Sequence, residues 1–276
     1  MKIICAGEAL VDVKLSGDRA ELYPGGSCFN VAHYIKKYGG DVTFCGAVGR
    51  DFLGDSVLQA ATFRRDIRLV EKNTSAVIIR NGNSSPQPIV YRGADRFLRV
   101  DNVGAGVFHT SAFALSLEPA AGRILKAMEE AKEAGAFISF DPNYRRVVWR
   151  RFGASRKGLE NIRRAICLAD LVKPSLDDAF ELLGTREMED SVRGFTAMGA
   201  KNVLLSMGDR GAALYWENRR YVAEAEKTRV VDTTGAGDAL LGTFLAHLSR
   251  GYEPEECIEA GVETASLVVS RRGNIV

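Results

Sequence analysis

Nowhere in this 276-residue chain is there a window near the roughly 18 to 20 apolar residues of a membrane span. The N-terminal run MKIICAGEALVDV reads as a first strand and is too short for a signal peptide. Five cysteines (Cys5, Cys28, Cys45, Cys167, Cys257) form no Cys-x-x-Cys pair. Their odd number and wide spacing argue against a disulfide framework or a thiolate zinc site, and for a reducing compartment. A soluble, cytoplasmic protein is therefore expected. Only three histidines occur, and His33, His109 and His247 share no metal spacing. The formal net charge is +2, and no basic stripe is interleaved with aromatics, so nucleic acid is not an expected partner. A GxxxxGK[ST] phosphate loop is missing, and ICAGEAL after the first strand supplies no GxGxxG for a dinucleotide.

What is present is an ordinary globular mix, 46% hydrophobic and 26% charged, long enough to bury a sizeable core. AFISF (Ala136–Phe140) and NVLLS (Asn202–Ser206) read as buried strands. Between them the pattern predicts a basic helix ending near Ala169, a strand at DLV, and a helix from Ser175 to Leu183 that Gly184 stops. Ser116 is a candidate cap for a helix carrying Ile124, Leu125 and Met128 on one face. Such alternation predicts an α/β fold with a doubly wound, mainly parallel sheet and helices on both faces. Two further stretches, about residues 10–24 and 74–95, alternate as strands around turns at Ser16-Gly17-Asp18 and within Arg80–Pro88. Together they predict a small β-sheet lid on a single domain spanning 1–276.

Ligands of parallel sheets bind at the carboxyl ends of strands, where DPNYR, KPS, SMGDRG and DTTGAGD would gather. The last lies in VVDTTGAGDALLGTFLAHL (Val230–Leu248). Leu240, Leu241, Phe244, Leu245 and Leu248 recur at helical spacing, so a helix begins near Gly237. Gly235, Ala236 and Gly237 precede it, where backbone N–H groups meet the positive end of the helix dipole and form an anion hole. Asp238 beside that hole would repel a resting phosphate; a carboxylate there makes sense if it accepts a proton from an attacking hydroxyl. In YPGGSCFNVAHYIKKYGG (Tyr23–Gly40), Gly25-Gly26 permit close backbone approach and Asn30 lies in the first turns of a second helix.

These two stretches, near opposite ends of the chain, resemble the two signature regions of the ribokinase-like (PfkB) carbohydrate kinase family. The resemblance implies ATP-dependent phosphorylation of a sugar or sugar-like alcohol, with Asp238 as base and the Gly235, Ala236 and Gly237 amides as anion hole. It implies acceptor contacts from Asp12, Gly26 and Asn30. Asp232 and Thr234 would help hold a monovalent cation, commonly potassium in the family. Magnesium would accompany ATP. The family often shows Asn and Glu after the KP of the strand–helix junction; here Ser175 and Asp178 stand there, with Glu181 a rival to Asp178 for the magnesium shell. Ser206 replaces a usual threonine before the turn at Gly208, and both fall on the nucleotide side.

YRGADRFL (Tyr91–Leu98) and SFDPNYRRVVW (Ser139–Trp149) resemble segments of fructokinases and of 2-keto-3-deoxygluconate kinases. Arg92 would reach a sugar hydroxyl or a carboxylate, Asn143 would hydrogen-bond, and Arg145 would meet phosphate or acceptor charge. The expectation leans to a fructokinase-like acceptor; keto acid, ribose, inositol and nucleoside kinases stay open, as does a sugar- or nucleotide-binding regulator. Strand edges of the lid suggest a homodimer.

Overall fold

Apolar runs bounded by glycine and proline become strands, and the amphipathic stretches between them become the helices that cover them. The computed structural model describes residues 1–80, 88–101, 103–151 and 156–273. The chain enters through β1 (Lys2–Ala6), then makes β2 (Leu10–Ser16) and β3 (Arg19–Gly25) before α1 (Ser27–Lys37). Next come β4 (Asp41–Gly49), α2 (Phe52–Ala60), β5 (Arg64–Val70), β6 (Ser75–Arg80) and β7 (Ile89–Tyr91). Most of the turn expected within Arg80–Pro88 lies outside the described residues, which omit 81–87. β8 (Val107–Ser111), α3 (Ala120–Glu133), β9 (Phe137–Asp141), α4 (Arg146–Arg151) and α5 (Arg156–Leu168) follow. After β10 (Leu171–Val172) come α6 (Leu176–Leu183), α7 (Met188–Ala197) and β11 (Asn202–Ser206). The hairpin β12 (Ala212–Trp216) and β13 (Arg219–Ala223) then precedes α8 (Ala236–Ser249) and α9 (Pro254–Val269).

The large sheet runs β13-β12-β11-β10-β9-β8-β1-β4-β5. All its pairings are parallel except the two made by β12. Side chains alternate across a strand, so β1 sends Ile3 and Cys5 into one apolar cluster with Phe29, Phe44 and Phe244. Ile4 and Ala6 enter the other, with Ile124, Phe140 and Phe195. Helices on both faces of one sheet account for the two cores, as the sequence predicted. The order reverses beside β1, whose neighbours are β8 and β4; a crevice opens at the carboxyl ends of strands there.

The small sheet runs β3-β2-β6-β7 and draws on two separated stretches of chain. One local expectation fails. α3 begins at Ala120 behind Pro119, and the Ser116 hydroxyl donates to the Phe113 carbonyl at 2.6 Å instead of capping the helix. A proline disfavours helical geometry in the residue before it, which delays the start.

Candidate active site

A cleft of about 420 Å³ lies at the carboxyl ends of the strands, and three helices begin at it, α1, α6 and α8. Gly235 caps α8 with φ 82°, a left-handed conformation that a side chain disfavours. The first turn then carries Asp238, which is buried. α1 starts opposite. Gly26 has φ 113°, and a Cβ there would stand 2.4 Å from the Glu8 carbonyl oxygen, so only glycine fits. From α1, Ser27 Oγ donates to Asp238 Oδ1 and Asn30 Nδ2 to Asp238 Oδ2, both at 2.8 Å. Burial pushes the Asp238 carboxyl up to about 6, although Lys173, Asn30 and Ser27 all favour its charged form. A carboxylate so placed can accept a proton near neutrality. Glu8 supports the start of α1 by accepting from the Ser27 amide at 2.8 Å, and burial pushes its own carboxyl up to about 7.

Lys173, after β10, brings a positive charge to the start of α8. Its Nζ pairs with Asp141 at 2.8 Å, and a Cβ on Gly237 would stand 2.9 Å from it. Burial alone would lower the Lys173 pKa, but Asp141 and Asp238 outweigh it and hold the ammonium charged. Ammonium, helix dipole and glycine turn converge on one anion-attracting spot beside Asp238. The Ala236 amide itself makes a long contact to Thr233 O at 3.4 Å.

On the other wall Ser175 caps α6 through a capping box with Asp178. Asp178 Oδ1 accepts from the Tyr144 amide at 2.6 Å and from Arg145 Nη1 at 2.9 Å. Its Oδ2 accepts from the Ser175 amide at 2.8 Å and hydroxyl at 2.5 Å. A carboxylate has about four lone-pair sites, so Asp178 is saturated by the chain itself. Glu181 pairs with Arg146 at 2.9 Å. Among the described residues no group of three His, Cys, Asp or Glu could hold a metal ion.

The cleft gathers Asp12, Gly26, Asn30, Asn143, Arg145, Ser175, Asp178, Ser206, Thr234, Gly235, Gly237 and Asp238 from segments far apart in sequence. Gly208 lies in the short 3-10 turn after β11, and Asp232 just before Thr234. Asp232 Oδ1 accepts from the Thr234 amide at 3.0 Å and hydroxyl at 2.7 Å, and its Oδ2 pairs with Lys14. Arg92 stands behind the cleft wall. It pairs with Asp95 at 2.5 Å, donates to Ser116 Oγ at 2.6 Å, and lies 4.0 Å from the centre of the Phe113 ring, which lines the cleft. The sequence motifs give no individual role to Glu8, Lys14, Ser27 or Lys173, although Ser27 lies within YPGGSCFN and Lys173 within KPS. A lysine closing the apolar run DLV, and a glutamate inside ICAGEAL, were available signals, because buried charges are rare unless paired.

A model of the pfkB family of carbohydrate kinases matches residues 2–276. An ATP-dependent 6-phosphofructokinase of Thermoanaerobacterium thermosaccharolyticum is 31% identical, over 99% of this chain and 89% of its own length. Among solved structures, aminoimidazole riboside kinase of Salmonella enterica, complexed with aminoimidazole riboside and an ATP analog, superposes with a TM-score of 0.89 at 27% identity. That match covers 100% of this chain and 96% of that one. A fructokinase of Vibrio cholerae O395 with fructose, ADP and calcium bound gives 0.88 at 26%, covering 100% and 94%.

Proposed function

Because the chain belongs to the pfkB family of carbohydrate kinases, we propose that its acceptor is a neutral ketohexose, fructose first, and that Asp238 takes the proton from the attacking hydroxyl. The seat of Asp238 carries this reading: a buried carboxylate, held by Ser27 and Asn30, at the start of α8. Asn30 Oδ1 is buried without a hydrogen-bond partner and is an acceptor for a sugar hydroxyl. Asp12 and Gly26 line the same cleft, below the small sheet, which would serve as a lid that excludes water.

In the transfer, charge spreads over the equatorial oxygens of the phosphoryl group. Lys173 and the amides of Gly235, Ala236 and Gly237 stand where they would offset it. Ser175, Ser206 and Gly208 would face the nucleotide, with Asn143 and Arg145 between it and the acceptor. A metal ion, magnesium with ATP, would neutralise phosphate charge when bound. With Asp178 saturated, the nucleotide and water would supply most of that ion's ligands.

Charge accounting favours a neutral acceptor over a keto acid or a sugar phosphate. Arg92 is paired with Asp95, Arg145 with Asp178 and Lys14 with Asp232. No helix in the described residues is long and apolar enough to cross a membrane, and the five free cysteines fit a cytoplasmic site of action. The small sheet would also join two copies into a homodimer.

The test is ADP release with MgATP and, separately, fructose, fructose 6-phosphate, 2-keto-3-deoxygluconate, ribose, myo-inositol and a nucleoside. Fructose is expected to give the highest kcat/KM, and Asp238→Asn to lose about 10² to 10⁴ in kcat with nucleotide affinity kept. Preference for the phosphorylated sugar or the keto acid would overturn the neutral-acceptor reading; near-normal turnover by the variant would remove Asp238 as base.

A further inference from the structure

We propose that the ammonium of Lys14 is a built-in cation of this protein, standing where a monovalent metal ion would otherwise sit against Thr234 and neutralise Asp232. The resemblance drawn from sequence reserves those two residues for such an ion. The chain fills the place itself. Lys14 Nζ pairs with Asp232 Oδ2 and reaches Thr234 Oγ1 at 3.3 Å. Asp232 Oδ2 also accepts from the Gly273 amide at 3.4 Å, while Oδ1 takes the Thr234 amide and hydroxyl. A Tyr23 ring covers the ammonium from another side, 5.0 Å to its centroid. Both carboxylate oxygens are therefore engaged by donors of the chain. An added metal ion would have to displace a lysine whose side chain is only 11% exposed, or share the pocket with a like charge.

The position of Lys14 gives the contact a purpose. Alternate residues of a strand share a face, and Leu10 and Asp12, four and two residues before Lys14 on β2, line the cleft. Lys14 continues that face to the loop that ends in Gly235, the cap of α8. One side chain thus links the small sheet to the turn that presents the anion hole. The ammonium of Lys14 and the amide and hydroxyl of Thr234 all donate to Asp232 and so favour its charged form. The carboxylate stays charged and the loop keeps one shape without a diffusible ion.

The inference rests on reading Thr233–Gly237 as the phosphate-binding turn, so its test uses nucleotide binding, which needs no acceptor. Calorimetric titration with MgADP would be run in potassium chloride and in tetramethylammonium chloride at equal ionic strength. Wild-type affinity is expected to agree within about twofold between the salts. Lys14→Met is expected to lose about tenfold in tetramethylammonium and to regain most of it in potassium, as the vacated pocket admits the ion. Thermal melts of the variant in both salts should show the same restored potassium response. A wild-type affinity that rises saturably with potassium would overturn the proposal, and that arm needs no variant. A Lys14→Met protein matching wild type in both salts would overturn it equally. Failure to phosphorylate fructose bears on the acceptor reading alone and leaves these outcomes readable.

Discussion

Asp238 must be charged to take a proton, yet it lies where charge is costly. Burial raises its pKa to about 6; Lys173, Asn30 and Ser27 pull the other way, and Asp141 adds to the rise. If Asp238 is the proposed base, its ionised form is the active one, and log kcat/KM should climb as pH rises toward about 6 and level off above it. Asn30 Nδ2 donates to the charged form, so Asn30→Ala should raise the pKa and move the acid limb to higher pH. A pH profile from about 4.5 to 9 checks this; an unmoved limb would deny Asn30 its hold on the base. Asp238, Gly26 and Asn30 were legible in the sequence because a glycine turn before an amphipathic helix is a local pattern. Lys173 and Glu8 were harder to see, since their roles arise from pairing: Lys173 reaches Asp141 from the next strand of the sheet, and Glu8 reaches Ser27 nineteen residues on.

At the scale of elements, Arg92 shows how a residue read as a ligand contact becomes a brace. It follows β7 and turns inward because the 3-10 turn Ala94–Phe97 presents Asp95 to it, and both side chains are buried, 3% and 1% exposed. Breaking a buried pair by removing one partner leaves an uncompensated charge, so Arg92→Ala should cost about 3 to 5 kcal/mol in urea unfolding. Its effect on the acceptor should be indirect, through the Phe113 ring that the guanidinium covers. An unchanged unfolding midpoint with a raised acceptor KM would restore the direct contact instead. The same contrast runs through the fold. NVLLS is β11 in full, and α6 starts and stops at Ser175 and Gly184, because caps and buried strands are written locally. β5, RRDIRLV, carries too many charges to resemble a strand; it is the edge of the large sheet, where charge is tolerated and discourages further pairing.

At the scale of the whole molecule, the small sheet has two faces of opposite character. Asp12 and Lys14 belong to the face toward the cleft and its loops. On the other, register aligns Leu22, Val13, Ile78 and Ile89 in one row across all four strands, with Ala76 opposite Tyr91 in the next. Leu22, Ile89 and Tyr91 are 47%, 54% and 61% exposed. These exposed side chains stand on the two outer strands, with Val13 and Ile78 between them partly buried, and the homodimer proposed above would set a second copy of the same sheet against them. Sedimentation equilibrium at micromolar concentration should find a dimer, and Leu22→Asp with Ile89→Asp should yield a folded monomer, since both side chains already face solvent within one chain. That monomer should also bind its acceptor more weakly. β2, which contributes Val13 to the apolar row, carries Asp12 and Lys14 on its reverse, so a partner that stiffened one face would hold the other over the cleft. A wild-type monomer would refute the association; a dimer that survived both substitutions would move the interface off this sheet and detach it from acceptor binding.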